Sequence, residues 1–427
     1  MSLWLWSIGG IILALALVVL IVLYSFGFFR GKVKYRAKNF PAPSTSNFTF
    51  TVAFLSNSLM TQGVLTGFWS EGPDIFPVRL DAIRSAKDFI QFETFTMTPG
   101  HRANEFAEAI ASKARSGVRV QFIVDRHGVK SLPKSYWEQL RAAGVEIAFF
   151  NPFNIRNPLE YLNRSHRKLL LIDDRVAYIG GAGVSDYWDG KAGVGEEAPW
   201  LDLEIRFEGP VVAALKATFQ QHWLDLGKTV DFSEEPLVVS GPQGETALIS
   251  VGENPNYRNS PIRTLFKNAI LAARKRFWIA SPYLLPNADT SKLLIDAKQR
   301  GVDVRILTMG KVSDKKYVHY TSRELYGNLL EGGVEIYEYQ PSMMHAKTML
   351  VDDEWISVGS SNLDPRSFFR NDELNISMKD GLLSEQLEKF FLYGFSRSLL
   401  LTKHQWRRRS FKERIIGRLW LIFYWQL

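Results

Sequence analysis

The 427-residue chain contains no cysteine. Disulfides, thiolate nucleophiles and cysteine-bearing zinc or iron–sulfur centres are thereby excluded, so any covalent chemistry falls to other side chains. Metal-ligand spacing is missing too. His101, His127, His222, His319 and His404 form no H-E-x-x-H or similar set, and they read as structural residues with no metal site. Charge of either sign is absent from residues 3–29, and acidic residues are absent from the run Arg30, Lys32, Lys34, Arg36 and Lys38. In residues 401–427, Glu413 alone faces Lys403, Arg407, Arg408, Arg409, Lys412, Arg414 and Arg418, a net +6. Taking the first run's five positives and these six from the chain's +8 leaves the rest at −3. A mildly acidic body argues against nucleic acid, which needs clustered Lys and Arg on the fold itself.

Both basic runs flank apolar segments, which points to a membrane carrying anionic lipids. Residues 8–29 are long enough to cross a bilayer of about 30 Å at about 1.5 Å per residue. No Lys or Arg precedes them, as a signal peptide would require, and hydrophobicity continues right round the helix, unlike a buried core helix. The positive-inside rule then places the N-terminus outside and the body in the cytoplasm. At the other end, Trp406, Trp420 and Trp425 accompany the basic residues around an apolar stretch too short to span. Two readings stay open for it, an amphipathic tail in the lipid interface or a terminal helix docked on the body. The resulting division is a transmembrane helix (1–29), a basic juxtamembrane linker (30–50), two domains (51–235 and 236–400) and the tail (401–427).

The two domains repeat one pattern. A strand at 89–92, a helix at 105–114, Gly117-Val118, a second strand, a further helix and Gly144-Val145 recur as a strand at 277–280, a helix at 293–299, Gly301-Val302 and Gly333-Val334. This order predicts an α/β fold, two pseudo-symmetric units each with a mixed sheet flanked by helices, and glycines capping helix ends.

Each repeat closes on H-x-K-x-x-x-x-D, as His166, Lys168 and Asp173, then as His345, Lys347 and Asp352. A lone H-x-K carries no information; two copies at equivalent places in a repeat are specific. The apolar residues after each lysine mark a strand, so His and Lys share one face while Asp, seven residues past the histidine, lies on the other. The aspartates are thus better placed to fix a turn than to touch substrate. Hairpins centred on Asp174 and Asp353 would set Gly180 opposite Lys168 and Gly359 opposite Lys347. Small residues there would let a phosphate approach the backbone, with Ser360 and Asn362 as added donors beside His345.

In these motifs, in Gly359-Ser360-x-Asn362 and in Ser361-Asn362-Leu363-Asp364-Pro365-Arg366-Ser367, the chain resembles the phospholipase D superfamily, and within it the bacterial cardiolipin synthases. The resemblance spans about residues 50 to 400. It departs at Gly183, where the family usually has asparagine. It implies one active site between the halves, with catalytic His166, Lys168, Asp173, His345, Lys347 and Asp352, and no cofactor. One histidine attacks phosphorus and the other protonates the departing alcohol, with His166 expected as the nucleophile and the glycine-rich Gly180-Gly181 leaving room for the phosphate. An acid downstream of each motif is expected to orient that motif's histidine: Asp202 in the first half, Glu373 in the second. Either acid could instead lie on the surface. The implied reaction is phosphatidyl transfer between two phosphatidylglycerols at the bacterial inner membrane, with release of glycerol. A lipid hydrolase or a transphosphatidylase using another alcohol is the alternative, and the oligomeric state is left open.

Overall fold

The computed structural model describes residues 2–25, 36–152, 155, 160–190, 198–256 and 259–427. Arg30, Lys32 and Lys34 of the basic run lie outside them.

In the first half the chain forms β1 (Leu59–Trp69), α3 (Gly72–Ser85), β2 (Phe89–Thr94), α4 (His101–Arg115), β3 (Arg119–Asp125), α5 (Lys134–Ala142), β4 (Glu146–Phe150), β5 (Leu169–Ile172), β6 (Val176–Gly180), β7 (Glu204–Glu208) and α6 (Pro210–Asp225). Ahead of these stand α1 (Ser2–Ser25) and α2 (Phe48–Leu55). The second half repeats the series as β8 (Glu245–Gly252), α7 (Pro261–Ala272), β9 (Arg276–Ala280), α8 (Ala288–Gln299), β10 (Asp303–Met309), α9 (Lys316–Glu331), β11 (Glu335–Tyr339), β12 (Thr348–Val351), β13 (Trp355–Gly359), α10 (Pro365–Phe369), β14 (Asn371–Lys379) and α11 (Gly381–Ser396).

All these strands lie in one 16-stranded sheet, in the order β4-β3-β2-β5-β6-β7-β1 for the first half and, continuing from β1, β8-β14-β13-β12-β9-β10-β11 for the second. The β2-β3-β4 and β9-β10-β11 neighbours are parallel, and the helices that cross over between them make that possible. Four helices end one residue short of the cap that precedes a glycine with left-handed φ, Gly117 (93°), Gly144 (97°), Gly301 (92°) and Gly333 (83°). Such a φ strains any residue with a Cβ, so Gly-Val recurs where each helix must turn into the next strand.

Three apolar clusters fill the layers. One lies under α3, α4 and α5, a second under α7, α8 and α9, and a third beneath α6 and α11 draws side chains from both halves. The third cluster and the β1–β8 pairing, Leu59 opposite Ile249 through Gly63 opposite Glu245, weld the halves together.

The ends differ from the sequence expectation. The described part of the segment expected as a linker is pinned at points along its length: Phe40 is buried and its carbonyl accepts from Arg274, and Phe48, with Val52 and Ala53 just beyond it in α2, joins the core beneath α7. Apolar side chains spaced along α2 explain this, since burying them outweighs what a free linker gains in entropy. The described side chains of α1, at 9–22, are exposed, and among the described residues no helix is long and apolar enough to cross a membrane. Past a short edge strand (Ser398–Leu400), the tail forms α12 (Lys403–Arg407) and α13 (Phe411–Trp420). Of its two readings, docking describes its inner face. Trp406 Nε1 donates to Arg323 O (2.6 Å), Trp420 stacks on Tyr317 at 4.4 Å, Trp425 lies 5.5 Å from Phe369, and Tyr424 donates to Leu285 O (2.9 Å). The outer face still exposes Phe411, Leu419, Ile422 and Phe423 among Arg407, Arg408, Lys412, Arg414 and Arg418.

Candidate active site

The two motifs meet where the halves touch beyond the sheet's own ladder. A two-residue strand, Arg164–Ser165, runs parallel to Asn371–Asp372, and Leu201 bridges Met344 in the same sense. His166 N–H donates to Asp372 O (2.8 Å) and His345 N–H to Leu201 O (2.7 Å). Each histidine is thereby tied to the residue just before the other half's acid.

The pairing of acids and histidines consequently crosses between halves. His345 Nδ1 lies 2.8 Å from Asp202 Oδ2, and His166 Nδ1 lies 3.1 Å from Glu373 Oε2. Both acids are fully buried beside histidines only 8% exposed. The expectation that each acid orients its own motif's histidine is corrected: strand direction at the junction carries each acid past its own motif to the opposite ring. With Nδ1 committed to a carboxylate, Nε2 is the reactive nitrogen of each imidazole.

Electrostatics set the protonation. Burial, followed by the Lys347 charge and offset by Asp202, pushes His345 down to about 4. Burial and the charges of Lys168 and Lys347 hold His166 well below the usual imidazole range. Both rings are therefore neutral near pH 7, each able to present an unprotonated Nε2. Asp202, despite burial, is lowered to about 2 by His345, Lys347 and the Trp188 N–H (2.7 Å), so it stays anionic. Glu373 is shifted the other way by burial, although Lys168 and the donors Ser360, Ser367 (2.7 Å) and Asn371 (3.3 Å) oppose the shift.

The lysines form the cradle. Lys168 Nζ donates to His166 O (2.6 Å); Lys347 Nζ donates to His345 O and lies 2.9 and 3.1 Å from the two ring nitrogens. Burial first, and for Lys168 also the charge of Lys347, brings their pKa values to about 7 and about 8. An anion between two such ammonium groups relieves both penalties, which suits the site to a phosphate. Apolar rings wall it: Phe95 beside His166 at 5.2 Å, Trp188 and Trp200 beside His345 at 5.1 and 5.6 Å.

The remaining expected site residues divide. The hairpin registers run as counted: Leu169 pairs Ile179 and Thr348 pairs Val358, which sets the lysines opposite Gly180 and Gly359. Asp173 accepts the backbone N–H groups of Lys87, Asp88 and Phe89 at 2.8 to 2.9 Å, and Asp352 those of Arg274, Lys275 and Arg276 at 2.7 to 3.0 Å. These two clamp the entries to β2 and β9 and do not join the histidines, as strand parity implied. The glycines are small for a reason other than phosphate access. A Cβ on Gly181 would sit 2.1 Å from Asp202 Oδ1, and one on Gly180 2.1 Å from Leu203 O. They make room for the protein's own acid-bearing strand. Ser360, expected beside His345, donates to Glu373 and so serves the His166 side. Asn362 is buried with no hydrogen-bond partner on Oδ1 among the described residues.

Several participants were not singled out in the sequence. Ser367 and Asn371 stood in or beside the quoted run, but nothing local marked Trp188, Phe95 or Arg79. Arg79 grips Glu204 with two bonds (2.7 and 2.6 Å) and donates to Ala182 O (3.1 Å), fixing the Gly180–Gly183 turn. Gly183 has its own explanation, since a Cβ there would meet Thr96 O at 2.5 Å and Trp188 at 3.2 Å. Restoring the family's asparagine as Gly183→Asn is expected to destabilise the fold by about 1–3 kcal/mol through overpacking. A fall in the thermal unfolding midpoint checks this; an unchanged midpoint refutes it.

Fold and facing histidine–lysine pairs together define a two-repeat phospholipase D-like protein. The family model described as "Cardiolipin synthase, PLD-like domain" matches residues 80–188 and 266–393, one match per half. A cardiolipin synthase of Geobacillus kaustophilus is 34% identical over 355 residues, 82% of this chain and 70% of that protein. One from Alkalihalophilus pseudofirmus is 33% identical over 352 residues, 81% and 69% of the two. The crystal structure of a phosphatidylserine synthase from Haemophilus influenzae shares the fold, with a TM-score of 0.68 at 15% identity over 88% of this chain and 96% of that one. The chain belongs to the cardiolipin synthase family with the phospholipase D-like domain.

Proposed function

We propose that this protein is a cardiolipin synthase that joins two phosphatidylglycerols through a phosphohistidine. The observation that carries the reading is the crossed pair of histidine–carboxylate contacts, each with a buried lysine beside its histidine. His166 Nε2 attacks phosphorus as the bond to the leaving glycerol oxygen breaks, and His345 Nε2–H gives that oxygen its proton. The negative charge of the bound substrate phosphate raises the pKa of His345 so that it can carry this proton. In the second step the acceptor's hydroxyl returns a proton to His345, its oxygen bonds to phosphorus, and the P–N bond breaks. The lower pKa of Asp202 favours His345 as the acid, because a firmly anionic partner steadies an imidazolium.

The membrane location belongs to the same proposal. Residues 8–29 span the inner membrane once, the catalytic body faces the cytoplasm, and the outer face of α13 rests on anionic lipid; the uncharged run of residues 3–29 in the sequence and the exposed basic and apolar side chains of the tail support this. Expression in a cardiolipin-null bacterium, followed by chromatography of its lipids, tests the function. Cardiolipin is the expected product. Phosphatidic acid without cardiolipin would make the protein a hydrolase.

A further inference from the structure

A second group of cations stands beside the catalytic lysines, and the two-histidine chemistry has no use for it. Arg164 lies two residues before His166, at the same strand parity, and is 5% exposed. Its guanidinium sits 3.8 Å over the Tyr161 ring, and its Nη1, 3.6 Å from Asp125 Oδ1, has no hydrogen-bond partner among the described residues. Asp125 is meanwhile occupied by the N–H groups of His127 (2.8 Å), Gly128 (3.2 Å) and Ser165 (3.1 Å). Arg366 arrives from the other half and donates to Leu162 O (2.8 Å), two residues from Arg164, and to Gln426 O (3.2 Å). His127 Nδ1 is 3.1 Å from Tyr161 Oη. Burial and the nearby charges of Arg164, Lys130, Lys315 and Arg366 lower its pKa to about 4. Lys315 Nζ lies 5.0 Å over the Tyr283 ring, and the strand that carries Arg164 leads directly into His166, so the cluster borders the catalytic centre. Three carboxylates stand among these cations, Asp125, Asp364 and Asp314, the last accepting from Tyr283 Oη at 2.7 Å. Burial raises Asp125 to about 6 and Asp364 to about 7, which weakens two of the three as counter-charges. The repeat breaks at this point, because the counterpart of Arg164, two residues before His345, is the fully buried Met343.

We propose that Arg164, Arg366 and Lys315 bind the phosphodiester of the acceptor lipid, a second anionic glycerophospholipid. This inference rests on the synthase reading. A donor brings one phosphate, which the catalytic lysines hold, and water or a neutral alcohol brings none. Phosphatidylglycerol as acceptor brings its own, six bonds from the phosphorus under attack, a reach comparable to two strand residues or about 6.6 Å. Arginine suits the task, since its planar fork binds phosphate oxygens in pairs.

The test is a partition experiment on the detergent-solubilised full chain, with phosphatidylglycerol in mixed micelles and ethanol as a competing neutral acceptor. Cardiolipin and phosphatidylethanol then arise from one phosphatidyl-enzyme, so their ratio does not depend on how much protein is folded. Arg164→Gln and Arg366→Gln are expected to lower the cardiolipin-to-phosphatidylethanol ratio at least about tenfold, and Arg164→Lys to lower it less. A wild-type ratio in both glutamine variants would overturn the proposal while leaving the synthase standing. Wild-type protein that forms phosphatidylethanol but no cardiolipin would overturn the synthase reading and this one with it. If Arg164→Gln does not fold, Lys315→Gln, at the half-buried edge, is read by the same ratio with the same two outcomes.

Discussion

Alanine at either His166 or His345 is expected to lower phosphatidyl transfer by about 10⁴-fold or more, and the double substitution to cost little beyond either single one. The reason is geometric. The rings serve one phosphorus from opposite halves, and neither half contains both a nucleophile and a proton donor. Losses of residues that act as one unit do not add. Transfer assayed on phosphatidylglycerol micelles decides the matter. Two independent sites would instead leave each single variant with about half the activity, and a residual rate above one-hundredth of wild type in either variant would refute the shared site.

The crossed carboxylates lead to the second large effect. Asp202→Asn is expected to mimic loss of His345, because it removes the charge that steadies an imidazolium there, and Glu373→Gln to mimic loss of His166. Each should slow transfer of natural substrate by about 10²- to 10⁴-fold. A donor whose leaving group needs no proton separates them. With a nitrophenyl ester of phosphatidic acid, Asp202→Asn should still form and accumulate a phosphorylated protein, whereas Glu373→Gln should not. Peptide mapping under conditions that preserve phosphohistidine should find the label on His166. If each acid served the histidine of its own motif, the behaviour of the two variants would be exchanged. Label on His345 in the unaltered protein would reverse the nucleophile and the acid while leaving the double displacement intact.

Much of this arrangement is local and was legible in the residues. Strand parity put His166 with Lys168 and turned Asp173 away; hairpin counting set Gly180 against Lys168; the Gly-Val repeats marked where helices stop. Each of these depends on a period of two or 3.6 residues, or on a turn a few residues long, so neighbours in the chain are enough to determine it. The interiors of the strands and helices follow from the same periodicities, and with them the doubled α/β architecture.

What the sequence alone determined is therefore the repeat, the motif residues and the faces they share. Only the tertiary structure decided that Asp202 meets His345 across 143 residues and that Glu373 meets His166 across 207. It also assigned Ser360 to Glu373, and showed that Gly180 and Gly181 yield space to the acid-bearing strand rather than to phosphate. The tail's inner face, too, found its partners only in the folded body. These contacts depend on the direction in which strands from the two halves pass each other at their junction, and no periodicity within either half records that direction.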